Sequence, residues 1–197
     1  MLGTLISRTA LGLSGWEFET PAPSLSKFVC IAAPHTSNMD GLLILFFGRQ
    51  QGVELSWMVK DSIGRGVAGP LVRKLGGIPV DRSARQNLVD QMIEKFETSD
   101  EFVLLVPPEG TRSRTDYWKS GFYHIATGAR VPIVPGYLDY RRKRGGFGPP
   151  LQPTGNVRDD MDVIRAFYDR LKPVARYPEQ FGPIRLRDEN SSGMTGR

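Results

Sequence analysis

His35 and Asp40 lie five residues apart in the stretch Ala33-Pro34-His35-Thr36-Ser37-Asn38-Met39-Asp40. A carboxylate on one ring nitrogen of an imidazole fixes the tautomer and leaves the other nitrogen to take a proton, which equips the pair as a general base. On one continuous helix the two residues would stand about 140° apart. They meet only if His35 sits in a turn and Asp40 in the first turn of a helix that follows. The other reading is a histidine at a helix start beside an acid that complements the helix dipole, and this stretch alone leaves both open.

Two further loops carry chemistry-capable side chains: Asp81 and Arg82, then Glu109, Thr111 and Arg112. Each follows an apolar strand-like run, and in a parallel sheet such strand ends share one mouth, where open α/β folds bind ligands. Two arginines beside a glycine loop suit a phosphate clamp. There is no G-x-S-x-G elbow, no Walker A loop and no carboxylate cluster suited to magnesium. One cysteine and two histidines do not furnish a structural zinc site, and Cys30 lies inside an apolar run as a core residue. No metal or cofactor is therefore expected. The base must act on a hydroxyl or water brought by a substrate, and that substrate is expected to carry phosphate.

The elements that must position these residues follow from periodicity. Residues 28–32 and 102–106 read as buried strands, 53–59 as an alternating strand and 77–82 as a strand and turn. Residues 131–138 read as a further strand, whose Pro132 and Pro135 argue for an edge or bulged course. Helices are expected after Asp40, with Leu42, Leu43, Leu45 and Phe46 as the apolar set, and over 70–75, 84–97, 118–129 and 159–171. His124 falls off the apolar stripe of its helix and reads as a surface or rim residue. Gly64 to Gly69 matches the dinucleotide fingerprint by letter, but the helix available after it is too short for the crossover of a phosphate-binding βαβ unit. The reading is a single α/β domain, a mixed and mostly parallel sheet flanked by helices. It spans residues 21–187, with a short amphipathic segment over 1–20 and a disordered polar tail over 188–197.

A net charge of +5 and a pI near 9.5 suit an anionic partner. The dense run Arg141 to Arg144 reads as a solvated loop that also suits lipid headgroups. Few aromatics interleave with it, so no nucleic-acid partner is expected. No apolar run approaches the roughly 20 residues of a membrane span, and the N-terminus lacks the pattern of a signal peptide.

Four blocks in order over residues 28–140 resemble those of the glycerolipid acyltransferase family, which includes bacterial 1-acylglycerol-3-phosphate acyltransferases. They are His35 to Asp40 (His-x4-Asp), the glycine strand from Gly77 to Arg82, Pro-Glu-Gly-Thr-Arg-Ser from Pro108 to Ser113, and Val-Pro-Ile-Val-Pro from Val131 to Pro135. The resemblance implies a glycerol-3-phosphate acyltransferase-like fold and acyl transfer without a covalent enzyme intermediate. His35 would deprotonate the free hydroxyl of a lysophospholipid acceptor and Asp40 would hold the ring. The acyl donor would be the thioester of acyl-CoA or acyl carrier protein, a co-substrate rather than a cofactor. Arg82, Glu109, Gly110, Thr111 and Arg112 would seat the headgroup, and the protein would sit peripherally at the inner face of the membrane, on the cytoplasmic side. Pro34, Pro107 and Pro79-Val80 depart from residues common in the family. The competing readings are a basic anionic-lipid-binding protein without catalysis and a dinucleotide-dependent oxidoreductase built on Gly64 to Gly69.

Overall fold

The computed structural model describes residues 11–67, 69–80, 85–187 and 189. Among the described residues, seven strands form one sheet: β1 (Glu17–Thr20), β2 (Lys27–Ala32), β3 (Leu55–Lys60), β4 (Gly77–Val80), β5 (Phe102–Val106), β6 (Ile133–Asp139) and β7 (Arg144–Phe147). The spatial order is β1-β7-β6-β2-β5-β3-β4, and every pair is parallel except β6 with β7. Among the described residues, six helices with both ends in view accompany it: α1 (Asn38–Gln50), α2 (Asp61–Arg65), α3 (Gly69–Lys74), α4 (Arg85–Thr98), α5 (Gly121–Ala129) and α6 (Val157–Leu171).

The central strands are apolar on both faces because both faces are covered. On β2, Phe28, Cys30 and Ala32 pack with Leu43, Ile44 and Phe47 of α1. The alternate residues Val29 and Ile31 pack with Phe96 of α4, Phe122 and Ile125 of α5, and Met161 and Ile164 of α6. The chain thus leaves β2 toward one face and leaves β5, its direct neighbour, toward the other. Two adjacent parallel strands whose connections diverge in this way open a crevice at their carboxyl ends. The loops that enter it are 33–37 and 107–120.

Several expectations need correction. The segment over 1–20 is not one amphipathic element: residues 11–14 are helical, while Glu17–Thr20 is a strand beside β7. Its first ten residues lie outside the described residues. β6 is interior, not an edge; Pro132 precedes it, and Pro135 is tolerated within it for a specific reason. Pro135 faces Gly148, just past the last paired residue of β7, so the missing N–H falls beyond the antiparallel ladder. The α1 stripe is Leu43, Ile44 and Phe47, and Leu42 is exposed. Helix α5 begins at Gly121 because Trp118 is extended and bridges Leu186.

The basic run is the β6–β7 turn. Arg142 pairs with Asp139 at 2.7 Å, Arg144 with Glu17 at 3.0 Å, and Lys143 donates to the Ser14 carbonyl. Two of its four charges are therefore paired with carboxylates within the fold. In the glycine-rich stretch, Gly64 lies inside α2 against Pro79, where a Cβ would come within 2.4 Å of that ring. Gly69 opens α3, a helix of six residues, and its α-carbon faces the Gly64 carbonyl. These glycines allow close packing of α2 on β4 and of α3 on α2. His124 is exposed, as its position off the stripe implies. In the tail, Glu189 pairs with Arg165 at 3.0 Å; Asp188 and 190–197 lie outside the described residues.

Candidate active site

The turn after β2 brings His35 and Asp40 together as the two-part geometry requires. Ser37 is the extended N-cap of α1, and Asp40 stands in the first helical turn. Its carboxylate reaches back to the N–H groups of Thr36 and Ser37, both at 2.7 Å. Oδ1 accepts the Ser37 hydroxyl at 2.6 Å and the Tyr140 hydroxyl at 2.5 Å. Nδ1 of His35 stands 3.5 Å from Oδ2. Asp40 is only 2% exposed, while His35 keeps 19% of its side chain open. Burial by itself would raise the Asp40 carboxyl, but hydrogen bonds from His35, Ser37 and Tyr140 outweigh it and hold the group at about 2. A carboxylate so held directs Nδ1–H inward and leaves the lone pair on Nε2.

Glu109 comes from the neighbouring loop, after β5. It is 3% exposed, and its Oε1 accepts the backbone N–H of His35 at 3.0 Å. Burial pushes its carboxyl up to about 8, against the lowering by the N–H groups of Glu109 and His35, and the charge of Asp40 adds to the rise. Its Oε2 is buried without a partner among the described residues. Glu109 therefore lies beneath the histidine, not at the solvent-facing surface of the loop.

This shift predicts a measurable pH effect. An acid whose folded pKa exceeds its unfolded value of about 4.3 favours the folded state less as pH rises between the two values. Glu109→Gln removes that slope. Its stability relative to wild type is expected to climb by on the order of a few kcal/mol between about pH 4.3 and pH 8, then level off. Urea unfolding across that range measures it, and a difference independent of pH would mean that Glu109 is ionised in the fold.

Gly110 adopts a left-handed conformation (φ 67°) that turns the loop. Thr111 accepts the Ser113 N–H through its hydroxyl. Arg112 donates to the side-chain oxygen of Asn38, at the start of α1. Arg82 lies outside the described residues. The structure thus brings His35, Asp40, Glu109 and Arg112 to one crevice.

Sequence reasoning missed Tyr140, Arg176, Tyr177 and Gln180. An open cleft of about 500 Å³ is lined by Thr36 to Met39, Arg112 and Ser113 on one side and by Arg176, Tyr177 and Gln180 on the other. The second wall follows α6 in the chain. Val174 accepts the Tyr140 N–H at 2.8 Å, and the Tyr177 N–H donates to the Thr36 hydroxyl at 3.2 Å. The Gln180 side-chain amide lies 2.6 Å from the Arg112 carbonyl and 3.1 Å from that of Thr36, so its NH₂ points to both. The periodicity of α6 gave no signal for this wall.

The acyltransferase family model matches residues 17–139, from β1 to the end of β6. Among curated proteins, the 1-acyl-sn-glycerol-3-phosphate acyltransferases of Limnanthes douglasii and Limnanthes alba are each 25% identical in alignments that cover 90% of this chain and 72% of theirs. Among solved structures, the 1-acyl-sn-glycerophosphate acyltransferase PlsC from Thermotoga maritima superposes with a TM-score of 0.60 at 18% identity, over 89% of this chain and 79% of that one. That likeness fixes the fold: the single, mostly parallel α/β sheet is the one on which an acyltransferase is built. With well over half its length matched by the family model, the chain belongs to the acyltransferase family.

Proposed function

We propose that the protein transfers an acyl chain from a thioester to the free hydroxyl of 1-acylglycerol-3-phosphate or a closely similar lysophospholipid, with His35 as general base. The observation that carries this is the His35–Asp40 pair, 3.5 Å apart at the mouth of the β2/β5 crevice. The likeness to the 1-acyl-sn-glycerol-3-phosphate acyltransferases of Limnanthes supports the acceptor class.

In this reading Nε2 of His35 takes the proton as the acceptor oxygen attacks the thioester carbonyl. The tetrahedral intermediate then expels the thiolate of CoA or acyl carrier protein, which receives that proton. Such a base contributes about 10²–10⁴-fold. Positioning and charge stabilisation in the crevice supply the rest. Glu109 fixes the backbone of His35 and so acts through it. Arg112, with Arg82, Gly110 and Thr111 of the two clamp loops, seats the acceptor's headgroup.

Contact with a lipid surface belongs to the same reading. No helix among the described residues is long and apolar enough to cross a membrane. Ile63, Val67 and Leu71, on and between the helices that leave the carboxyl end of β3, are at least half exposed, a grouping suited to peripheral contact. The test is to supply acyl-CoA or acyl carrier protein thioester with lysophosphatidic acid in vesicles. Release of free thiol matched by gain of a diacyl product is the expected result, together with sedimentation of the protein with the vesicles. Absence of release from either donor, with every lysolipid tried, would refute the reading.

A further inference from the structure

We infer that Arg176, from the segment after α6, forms with Arg112 the two-guanidinium seat of a phosphate monoester in the cleft beside His35. This rests on the acyl-transfer reading above and names a residue outside the family match, which ends at residue 139.

The argument starts from the charge inventory of the cleft. Nine residues line it; two are arginines and none is acidic. Elsewhere, arginines that serve the fold are tied to carboxylates, as Arg142 is to Asp139, Arg144 to Glu17 and Arg165 to Asp162 and Glu189, or to backbone carbonyls, as Arg73 is to Gly64, Arg114 to Phe181 and Arg185 to Asp116. Among the described residues, neither Arg112 nor Arg176 is ion-paired. Arg112 bonds a neutral amide oxygen, that of Asn38, and Arg176 lies over the Tyr177 ring, 5.6 Å from its centroid. A phosphate dianion offers each a stronger, charge-assisted and bidentate partner.

The backbone holds the second arginine in place without using its side chain. The Tyr140–Val174 and Thr36–Tyr177 hydrogen bonds flank Arg176, and Gln180 ties the same segment to the carbonyls of Arg112 and Thr36. Tyr140, whose N–H this segment holds through the Val174 carbonyl, donates its hydroxyl to Asp40, so the segment is tied to the base. The N-terminus of the 13-residue α1, whose Asn38 and Met39 line the cleft, adds a favourable field for an anion.

Both co-substrates of the proposed reaction offer a phosphate monoester: the acceptor headgroup and the ribose 3′-phosphate of CoA. Arg176→Ala and Arg176→Lys separate them. Arg176 is exposed, so its removal leaves the core untouched. With lysophosphatidic acid as acceptor, Arg176→Ala is expected to raise KM about 10–100-fold with kcat within about twofold, as loss of a charged hydrogen bond does. KM for a neutral monoacylglycerol should be unchanged, and Arg176→Lys should recover part of the loss. If the loss instead follows acyl-CoA and vanishes with acyl-dephospho-CoA, the seat holds the donor's phosphate, and the two-arginine site stands. An unchanged KM for both phosphate-bearing substrates, or an equal loss with monoacylglycerol, overturns it. Inorganic phosphate titrated by calorimetry reads the site without turnover: binding by wild type that Arg176→Ala abolishes supports the seat, and equal or absent binding in both contradicts it. Absence of acyl transfer by wild type would strike the activity while leaving this binding result to stand by itself.

Discussion

His35→Ala is expected to lower acyl transfer by about 10²–10⁴-fold while shifting stability by no more than about 1 kcal/mol. The asymmetry follows from how the turn is held. The bond from residue 35 to Glu109 is made by the backbone N–H, which alanine retains. Asp40 keeps the N–H groups of Thr36 and Ser37 and the hydroxyls of Ser37 and Tyr140. Only the imidazole disappears, and with it the acceptor for the substrate's proton. Rates of thiol release beside a urea melt separate the two quantities. Retention of more than about a tenth of the wild-type rate by a folded variant would remove His35 from the chemistry.

Asp40 is expected to couple activity to folding. Asp40→Ala leaves four donors facing a space without an acceptor, two backbone and two hydroxyl. At about 1–3 kcal/mol for each buried group left unmade, and less than additively, a loss of about 3–5 kcal/mol is expected. Asp40→Asn is the cleaner probe. Its single oxygen can face the two N–H groups, while the Ser37 and Tyr140 hydroxyls rotate to accept from the amide. The fold is retained, but the charge that orients His35 is gone, and turnover should fall about 10²–10⁴-fold. The sign of the pH effect distinguishes the two states of the group. The folded pKa of about 2 lies below the unfolded value of about 3.9. Wild type therefore holds this stabilisation above pH 4 and loses roughly 2 kcal/mol of it as pH falls to 2. Asp40→Asn should show no such loss, and an unchanged acid limb in that variant would contradict the assignment.

What could be read from the sequence divides along the range of the interactions. β2 and β5 were legible because both faces are buried, which leaves an unbroken apolar run. The His35–Asp40 pair was legible because its geometry is local: an N-cap serine and an acid three residues on. β1 and β7 were not. They read Glu-Phe-Glu-Thr and Arg-Gly-Gly-Phe, short segments that become strands through pairing. Gly145 and Gly146 make room there for Phe47 and Thr20. Tyr140 reaches Asp40 across 100 residues and Tyr177 reaches Thr36 across 141, contacts that no local pattern encodes. Glu109 was misleading in another way. A glutamate between proline and glycine reads as exposed loop, whereas its carboxyl is enclosed under the histidine by the divergence of β2 and β5.

Cys30 has a use beyond packing. It is the chain's single cysteine, fully enclosed on β2, and burial pushes its thiol well above the ordinary range. A chromogenic disulfide reagent should therefore find nothing to label in the native protein and one equivalent in denaturant. The colour seen in a CoA assay is then the product's alone. Left for hours without substrate, the same mixture becomes a clock for global opening, since labelling of a central strand waits on the loss of the whole sheet.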